Sequence, residues 1–216
     1  MARHLLGLLD RVPGQPGRRL RATRDRVLFP EATSGADQWQ RVVLNQAVSA
    51  YIETLGPSGL TAAEISGAGR AGHNWKQFVS LDYPEFDLCA PLVDRGVFDV
   101  VVCEQVIEHV IDPWTAVKNL RGLCRPGGHV IVSTPFLIRV HELPAYGMPD
   151  YWRFTPRGLH TLVASAGLQV DSVGAWGNRS CVLANFDTWP AYRRWHSLSD
   201  EPDLPVQVWA FARNPA

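Results

Sequence analysis

The segment CEQVIEHVIDPW, residues 103–114, concentrates side chains that can do chemistry: Glu104, Gln105, Glu108 and His109. Carboxylates and imidazoles can accept a proton, hold a divalent cation or receive hydrogen bonds from a cationic ligand. The segment follows the apolar run VFDVVV, which is typical of a strand buried on both faces of a parallel sheet. Ligands bind beyond the carboxyl ends of the strands in open α/β sheets, so this position favours an active-site wall over an ordinary solvated helix.

Two later stretches are also rich in polar and aromatic side chains, LIRVHELPAYGMPDYWRFTP (137–156) and WGNRSCVLANFDTWPAYRRWH (176–196). Long loops inside compact domains are usually functional. Aromatic faces interleaved with arginine, aspartate and asparagine suit a sugar ring, and they equally suit a buried C-terminal cap. The candidate acceptor-binding residues are Glu142, Tyr151, Arg153, Trp176 and Asn178. The candidate base is His141, with His109 second, because an imidazole is largely neutral at pH 7–8.

Strand-like and helix-like segments alternate along the chain. Apolar residues at helical spacing run through ADQWQRVVLNQAVSAYIETLG and stop at Gly56-Pro57. Asp112-Pro113 and Thr155-Pro156 each have the pattern of an N-cap followed by proline at the first helical position. The strand-like segments are LTAAEISGAG, QFVSLDYP, VFDVVVCE, HVIVSTPF, QVDSVGAWG and VQVWAFAR. This alternation predicts an α/β domain with a mostly parallel sheet.

The composition is that of a globular domain in a reducing compartment. Of 216 residues, 46 % are hydrophobic and 19 % charged, and 21 basic residues balance 21 acidic ones, so no net field favours nucleic acid or a membrane surface. The four cysteines show no CxxC spacing, and no run reaches the ~18 apolar residues of a membrane span. We expect a cytoplasmic protein with an arginine-rich N-terminal arm (1–36) and one domain (37–216), for which a homodimer is allowed.

Four motifs occur in the order found in class I S-adenosylmethionine-dependent methyltransferases: EISGAG, SLDYPEFD, FDVVVCEQVIEHVIDPW and RPGGHVIVSTPF. Residues 60–180 resemble that family, in particular its type-11-like members and, more loosely, actinobacterial saccharide O-methyltransferases. The resemblance implies a Rossmann-like, mostly parallel seven-stranded sheet with an antiparallel last strand. Asp82 and Asp87 are only five positions apart, where the family usually inserts a helix and a strand, so we expect truncation around strands 2–3.

The resemblance also implies which residues bind S-adenosylmethionine. The carboxylate of Glu64 would hold a glycine turn, in which Ser66 stands where the family usually has glycine. Asp82 would bind the ribose and Asp87 the adenine amino group, although the truncation leaves these two roles interchangeable. The complete set of expected cofactor-binding residues is Glu64, Ser66, Gly67, Gly69, Asp82, Asp87, Leu88, Glu104 and Gln105.

A metal-dependent branch of the family binds Mg²⁺ through an ExxEH motif. This chain has Gln105 in place of the first glutamate, and Glu104 falls one position early. Because Mg²⁺ prefers oxygen ligands, the loss of one carboxylate weakens the motif. We therefore expect at most a weak Mg²⁺ site at Glu108, His109 and His141. The alternative is that Glu108 caps a helix and His109 packs.

Together these observations predict a methyltransferase that acts on a hydroxyl of a sugar or small glycoside. A neutral hydroxyl is a poor nucleophile, so a base such as His141 would help, but alignment of the reacting atoms should contribute more. The alternatives are methylation of another small natural product or amine, and a protein that binds the cofactor without turnover. A nicotinamide-dependent oxidoreductase is less well supported, because SGAGRAGHN lacks the GxGxxG spacing.

Overall fold

The structure, a computed structural model, describes residues 23, 27, 30–92, 96–143 and 147–216. Six strands form one sheet: β1 (Thr61–Ile65), β2 (Gln77–Leu81), β3 (Phe98–Glu104), β4 (Cys124–Pro135), β5 (Gln169–Trp176) and β6 (Gln207–Arg213). Their order across the sheet is β2-β1-β3-β4-β6-β5. All neighbours are parallel except that β6 runs antiparallel to both β4 and β5. The fold is therefore the expected Rossmann-like α/β arrangement with an antiparallel last strand.

The described residues contain six strands, one fewer than the seven that the resemblance implied. The region between β2 and β3 explains the difference, since residues 82–97 are too few for an inserted helix and strand with their connections. The expected truncation therefore removes one strand from the edge of the sheet, and β2 becomes that edge.

The connection from β1 to β2 is also short, which the sequence analysis did not anticipate. Parallel neighbours are normally joined by a crossover of about a dozen residues or more, usually with a helix. Here residues 66–76 make the crossover with turns and no helix. The glycine turn after β1 must therefore be held in place by contacts other than those of a crossover helix.

Within residues 30–92, 96–143 and 147–216, four α-helices accompany the sheet: α1 (Val42–Leu55), α2 (Pro113–Leu123), α3 (Pro156–Ser165) and α4 (Arg179–Asn185). The two predicted N-caps are confirmed, because the Asp112 side chain accepts the N–H groups of Trp114 and Thr115, and Thr155 accepts that of Gly158. Helix α1 ends at Gly56, whose φ of 69° suits glycine at a helix C-terminus. Among the described residues, no helix is long and apolar enough to cross a bilayer.

The helices cover both faces of the sheet. Successive β3 side chains point to opposite faces, so Val101 packs with α2 and α3, while Val100 packs with α1 and α4. Leu120 of α2 and Leu44 of α1 are fully buried in these two layers. This two-sided packing explains why β3 is a nearly continuous apolar run, and it fixes the strand end that carries Glu104.

The described end of the predicted N-terminal arm is bonded to the C-terminal part of the domain. The N–H of Ala32 donates to the carbonyl oxygen of Trp189 at 2.6 Å, and the N–H of Ala191 donates to that of Pro30 at 2.6 Å. The Trp39 N–H donates to the Pro190 carbonyl oxygen at 2.8 Å. These bonds place the start of α1 at the sheet edge that carries the candidate site. The seven arginines of residues 1–26 lie outside the described residues, so their role stays a prediction.

Candidate active site

The chain turns after β1 around the carboxylate of Glu64. Its Oε1 accepts the main-chain N–H of Gly69 at 3.1 Å, and its Oε2 accepts that of Arg70 at 2.8 Å. A Cβ on Gly67 would lie 3.0 Å from Oε1, so a side chain there would press on the carboxylate. Burial raises the pKa of Glu64, and the bonds from the two N–H groups oppose this shift. The structure thus places Glu64 where it holds the glycine turn.

Two residues with positive φ follow the strands that flank the site. Ser66 comes after β1 with φ 52°, and Gln105 comes after β3 with φ 58°. Such backbone conformations cost non-glycine residues about 1–3 kcal/mol and are concentrated at functional sites. The main-chain N–H of Ser66 donates to the Leu81 carbonyl oxygen at 2.9 Å. The side-chain amide of Gln105 donates from Nε2 to Gln207 Oε1 at 2.8 Å. Ser66 therefore adopts the left-handed turn that glycine would adopt more easily.

Two adjoining cavities open at the carboxyl ends of β1, β2 and β3. Their shared lining consists of Ser66, Tyr83, Val106, His109 and Met148. One cavity has additional apolar walls from Phe86 and Leu88, and the other reaches Gln105. The location agrees with the general rule that ligands bind beyond the strand ends. The segment that follows β3 therefore forms part of a cavity wall, as its position in the sequence indicated.

The structure brings both predicted nucleoside-binding acids to these cavities. Asp82 lines one cavity and Asp87 the other, and both side chains are exposed. Ser80 Oγ donates to Asp82 Oδ1 at 2.9 Å, and the Cys89 N–H donates to Asp87 Oδ1 at 2.8 Å. Asp87 shares its cavity with the apolar side chains of Phe86 and Leu88, whereas the cavity of Asp82 includes the amide of Gln105.

Glu104 lies in an internal ion pair, which differs from its expected place at the cofactor edge. Arg70 Nε lies 2.5 Å from Glu104 Oε2, and Arg70 Nη2 lies 2.9 Å from Oε1. Both side chains are almost entirely buried. A second guanidinium, that of Arg41, lies 3.8 Å from Glu104 Oε1. The negative charge of Glu104 is therefore paired with arginine inside the protein. Glu104 is absent from the described lining of both cavities.

Arg41 is a candidate site residue that the sequence analysis missed. It directly precedes α1, and its Nε atom is buried without a hydrogen-bond partner in the described part of the chain. Buried polar atoms are nearly always paired, so this N–H makes Arg41 a candidate for an anionic ligand group, at a place outside the described lining of both cavities. The only sequence signal was an arginine at the start of an amphipathic helix, which is common without any function.

Glu108 is fully buried beside His109. Its Oε2 accepts the Thr134 hydroxyl at 3.3 Å, and its Oε1 has no partner among the described residues. Burial raises the pKa of Glu108 to about 8, so the carboxyl is largely protonated at neutral pH. The main-chain oxygen of Glu108 accepts the N–H of Tyr151 at 2.7 Å. Its side chain caps no helix, so the alternative of a capping role is wrong.

His141 rests on a buried carboxylate. Its Nδ1 lies 3.1 Å from Asp150 Oδ2, and its main-chain N–H donates to the same oxygen at 2.7 Å. Arg153 binds both carboxylate oxygens of Asp150. Burial lowers the pKa of His141 to about 4, with the charge of Asp150 opposing the shift. The imidazole is therefore neutral at physiological pH and free to accept a proton, but a pKa this low makes it a weaker base than an ordinary histidine.

The two candidate histidines and Glu108 converge. The rings of His109 and His141 meet edge to face with centroids 4.9 Å apart. One ligand atom from each of Glu108, His109 and His141 falls within 4.8 Å of the others. Two imidazole nitrogens and one carboxylate suit Zn²⁺ or Mn²⁺, whereas Mg²⁺ prefers oxygen ligands. The residues expected to bind a metal are thus brought together, but their donor atoms do not fit Mg²⁺.

Two of the predicted acceptor-binding residues lie in the interior instead of at a cavity. Trp176 is 3 % exposed and donates Nε1–H to the Leu198 carbonyl oxygen at 3.0 Å. Asn178 is 2 % exposed, accepts the Cys181 N–H at the start of α4 and donates to two main-chain oxygens. Their polar atoms bond to main-chain groups of the protein, so the interpretation of this stretch as a buried C-terminal cap is correct for both residues.

The other three acceptor candidates occupy different environments. Arg153 is committed to Asp150, so it supports His141 instead of contacting an acceptor. Tyr151 is 47 % exposed and lines the cavity that contains Asp87. Glu142 is exposed next to His141. Of the three, Tyr151 is the one that the structure places in a described cavity wall.

A further aromatic residue, Trp189, was not singled out from the sequence. Its ring lies edge-on to His141 with centroids 5.2 Å apart, and the Arg139 guanidinium lies 4.9 Å from its ring centre. The tryptophan-rich composition of the C-terminal third was the available signal, but it did not distinguish this position from buried ones. Trp189 thus shields one side of the imidazole.

Comparison with known proteins gives a consistent family match. A family model described as a methyltransferase domain matches residues 15–173. The ubiquinone biosynthesis O-methyltransferase of Ralstonia nicotianae is 36 % identical over 90 residues, which is 41 % of this chain and 38 % of that protein. The chain thus spans less than two thirds of the length of the curated relatives that it matches.

Solved structures share the fold at low sequence identity. An S-adenosylmethionine dependent methyltransferase from Mesorhizobium loti has a TM-score of 0.54 and 16 % identity, covering 76 % of this chain and 96 % of that one. The N-methyltransferase NodS from Bradyrhizobium japonicum, in complex with S-adenosyl-L-homocysteine, has a TM-score of 0.51 and 13 % identity, covering 91 % and 98 %. At these identities the likeness concerns the fold alone.

Proposed function

The chain belongs to the methyltransferase domain family, and we propose that it is an S-adenosylmethionine-dependent methyltransferase whose acceptor is a hydroxyl group of a small molecule. The observation that carries this proposal is a neutral, half-buried imidazole, His141, close to His109, which lines the strand-end cavities. A hydroxyl needs a proton acceptor when it attacks, and a neutral imidazole can supply one. Amines that are already deprotonated need this less.

The residues around the cavities fit the cofactor. S-adenosylmethionine, when bound, supplies a methyl group made electrophilic by the positively charged sulfur. The unpaired Nε of Arg41 is suited to its carboxylate, and the exposed carboxylate of Asp82 is suited to the ribose hydroxyls. Asp87, with the apolar walls beside it, is suited to the adenine ring and its amino group. Gly67 leaves room for the Glu64 carboxylate that holds this turn, because a Cβ there would lie 3.0 Å from its Oε1.

In this proposal His141 accepts the proton of the acceptor hydroxyl. Asp150 holds the main chain of His141 and lies beside its ring, and Arg153 fixes Asp150 in turn. Trp189 covers one side of the imidazole and limits its exposure to water. Alignment of the acceptor oxygen should contribute most of the rate, on the order of 7–11 kcal/mol, and the base about 10²–10⁴-fold.

The class of acceptor has two candidates. A sugar or small glycoside follows from the resemblance, but two of the residues expected to bind it, Trp176 and Asn178, are buried. An aromatic hydroxyl is favoured by the exposed apolar side chains near the mouth of the cavities, where Tyr83, Ile111 and Tyr151 are 42 %, 71 % and 47 % exposed. The Ralstonia relative is an O-methyltransferase by name, which agrees with methyl transfer to oxygen.

The deciding experiment is incubation with methyl-labelled cofactor and a matched panel of acceptors. The panel pairs simple glycosides with aromatic hydroxyl compounds and adds primary amines, and each reaction is repeated with His141→Ala. Transfer to one hydroxyl class that is largely lost in the variant supports the proposal. Transfer to amines alone, or binding of the cofactor with no transfer to any class, would contradict it.

A further inference from the structure

The crossover between β1 and β2 is attached to α1 by a regular set of polar contacts. Arg70 Nη2 donates to Asn45 Oδ1 at 2.9 Å, and Arg70 Nη1 donates to Ser49 Oγ at 3.2 Å. His73 Nδ1 lies 2.7 Å from Glu53 Oε1. The three α1 positions are four residues apart, so they form one stripe along a single face of the helix.

The same stripe continues to the candidate site. Arg41 precedes Asn45 by four residues and stands at the N-cap of α1, where its guanidinium lies 3.8 Å from Glu104. Helix α1 thus presents polar side chains to the crossover along its length, at positions 41, 45, 49 and 53. In a usual βαβ unit the crossover has its own helix, and here residues 66–76 have none.

Arg70 stands at the centre of this arrangement. Its side chain is 7 % exposed and reaches α1 and Glu104 at the end of β3, while its main-chain N–H is held by Glu64 of β1. Three separate elements therefore meet at one residue of the glycine turn. A planar guanidinium with five donors can satisfy such a set, whereas a lysine ammonium cannot span it.

We propose that Arg70 is a positioning residue for the cofactor: it locks the helix-free crossover onto α1, which sets the glycine turn and the guanidinium of Arg41 relative to each other. This proposal rests on the proposed use of the strand-end cavities for S-adenosylmethionine. In a usual βαβ unit the crossover helix holds the turn in place. Here α1 would do so, through the hydrogen bonds of Arg70.

Arg70→Met and Arg70→Lys test the proposal, with S-adenosyl-L-homocysteine as the probe. Arg70→Met should raise the Kd of the probe by at least about tenfold in calorimetric titration, and Arg70→Lys should recover only part of the loss. Amide hydrogen exchange of residues 66–76 without any ligand should become faster in Arg70→Met. The matched control is Glu53→Gln, at the exposed end of the stripe, for which we expect a Kd within about twofold of the unmodified protein.

A double variant separates positioning from simple destabilisation. Arg70→Met removes both hydrogen bonds to the buried carboxylate of Glu104 and leaves it only the guanidinium of Arg41, 3.8 Å away, so it should also lower Tm. Adding Glu104→Gln removes that charge and should restore much of the Tm while the Kd stays raised, and Glu104→Gln alone should change the Kd less than Arg70→Met does. Recovery of both quantities in the double variant, or an unchanged Kd in Arg70→Met, would overturn the proposal.

The two levels of inference can fail separately. If the unmodified protein does not bind the probe, the proposed cofactor site is wrong, whereas the exchange rates of residues 66–76 still report whether Arg70 fixes the crossover. If the probe binds and Arg70→Met neither weakens binding nor speeds exchange, the cofactor site stands and the positioning role is wrong.

Discussion

The Nδ1 atom of His141 lies 3.1 Å from Oδ2 of Asp150, a carboxylate whose side chain is only 1 % exposed. The same oxygen also accepts the main-chain N–H of His141, so the main chain and the ring of this residue both lie against one buried carboxylate. The main-chain bond holds His141 against Asp150, while its Nδ1 atom makes no hydrogen bond with the described residues.

The first prediction concerns this imidazole. His141→Ala should lower kcat by about 10²–10⁴ while the Kd of S-adenosyl-L-homocysteine stays within a few-fold, because the base acts on the acceptor. His109→Ala should lower kcat less. Turnover and calorimetric titration of both variants check this: unchanged kcat in His141→Ala would place the base elsewhere, and a comparable loss of cofactor affinity would make His141 structural.

The second prediction concerns the acids at the cavities. Asp82→Ala should weaken S-adenosyl-L-homocysteine binding by about tenfold to a hundredfold, since a hydrogen bond to a charged group contributes about 1.5–3 kcal/mol. It should also abolish most of the ligand-induced rise in Tm. Asp82→Asn, which keeps an acceptor oxygen, is the matched control and should lose less. An Asp82→Ala protein with the full rise in Tm would remove Asp82 from the site.

The third prediction is a pH dependence of stability from Glu108. Burial raises the folded-state pKa to about 8 from an ordinary value of 4.5, so the folded protein holds a proton that the unfolded chain releases between these values. The free energy of unfolding should therefore decrease as pH rises from 4.5 to 8, by at most about 5 kcal/mol from this group. Glu108→Gln, which stays neutral, should raise Tm more at pH 8 than at pH 5.

Thermal unfolding of both proteins across pH 4.5–8.5 measures this directly. The Tm difference between Glu108→Gln and the unmodified protein should grow with pH and level off above about 8. A constant difference over the whole range would show that the carboxyl titrates normally in the folded protein.

The fourth prediction concerns metal. Glu108, His109 and His141 converge, but the pKa of the carboxyl is raised and the imidazoles already meet protein groups, so we expect weak Zn²⁺ or Mn²⁺ binding and little response to Mg²⁺. Activity with and without a chelator should differ by less than about twofold. Complete loss of turnover with the chelator and full recovery on adding one divalent ion would make the metal catalytic, and His141 a ligand instead of the base.

Local sequence patterns predicted the elements that position the site. Helix caps at Asp112 and Thr155, the buried strand before Glu104 and the antiparallel last strand depend on residues close in sequence or on a familiar order of motifs. The cavity at the strand ends follows from the same pattern, because the carboxyl ends of parallel strands share one edge.

Partners far apart in sequence could not be predicted in this way. Arg70 and Glu104 are 34 residues apart, and no periodicity connects them. The burial of Trp176 and Asn178 depends on the packing of residues 197–199 over them, which a polar and aromatic composition does not reveal. The crossover between β1 and β2 is too short for a helix with its connections, and the order of the motifs predicted a truncation only after β2.

The position of β6 in the sheet has a consequence for how the chain acquires its fold during synthesis. Strand β5 is joined to the sheet only through β6, and β6 is made after it and lies between it and β4. While the ribosome is still producing residues 207–213, β4 has an open edge and β5 has no partner, so the nascent sheet carries two unpaired edges that invite misassembly. Completion of the sheet therefore waits for residues 207–213, and deleting this one strand would detach two.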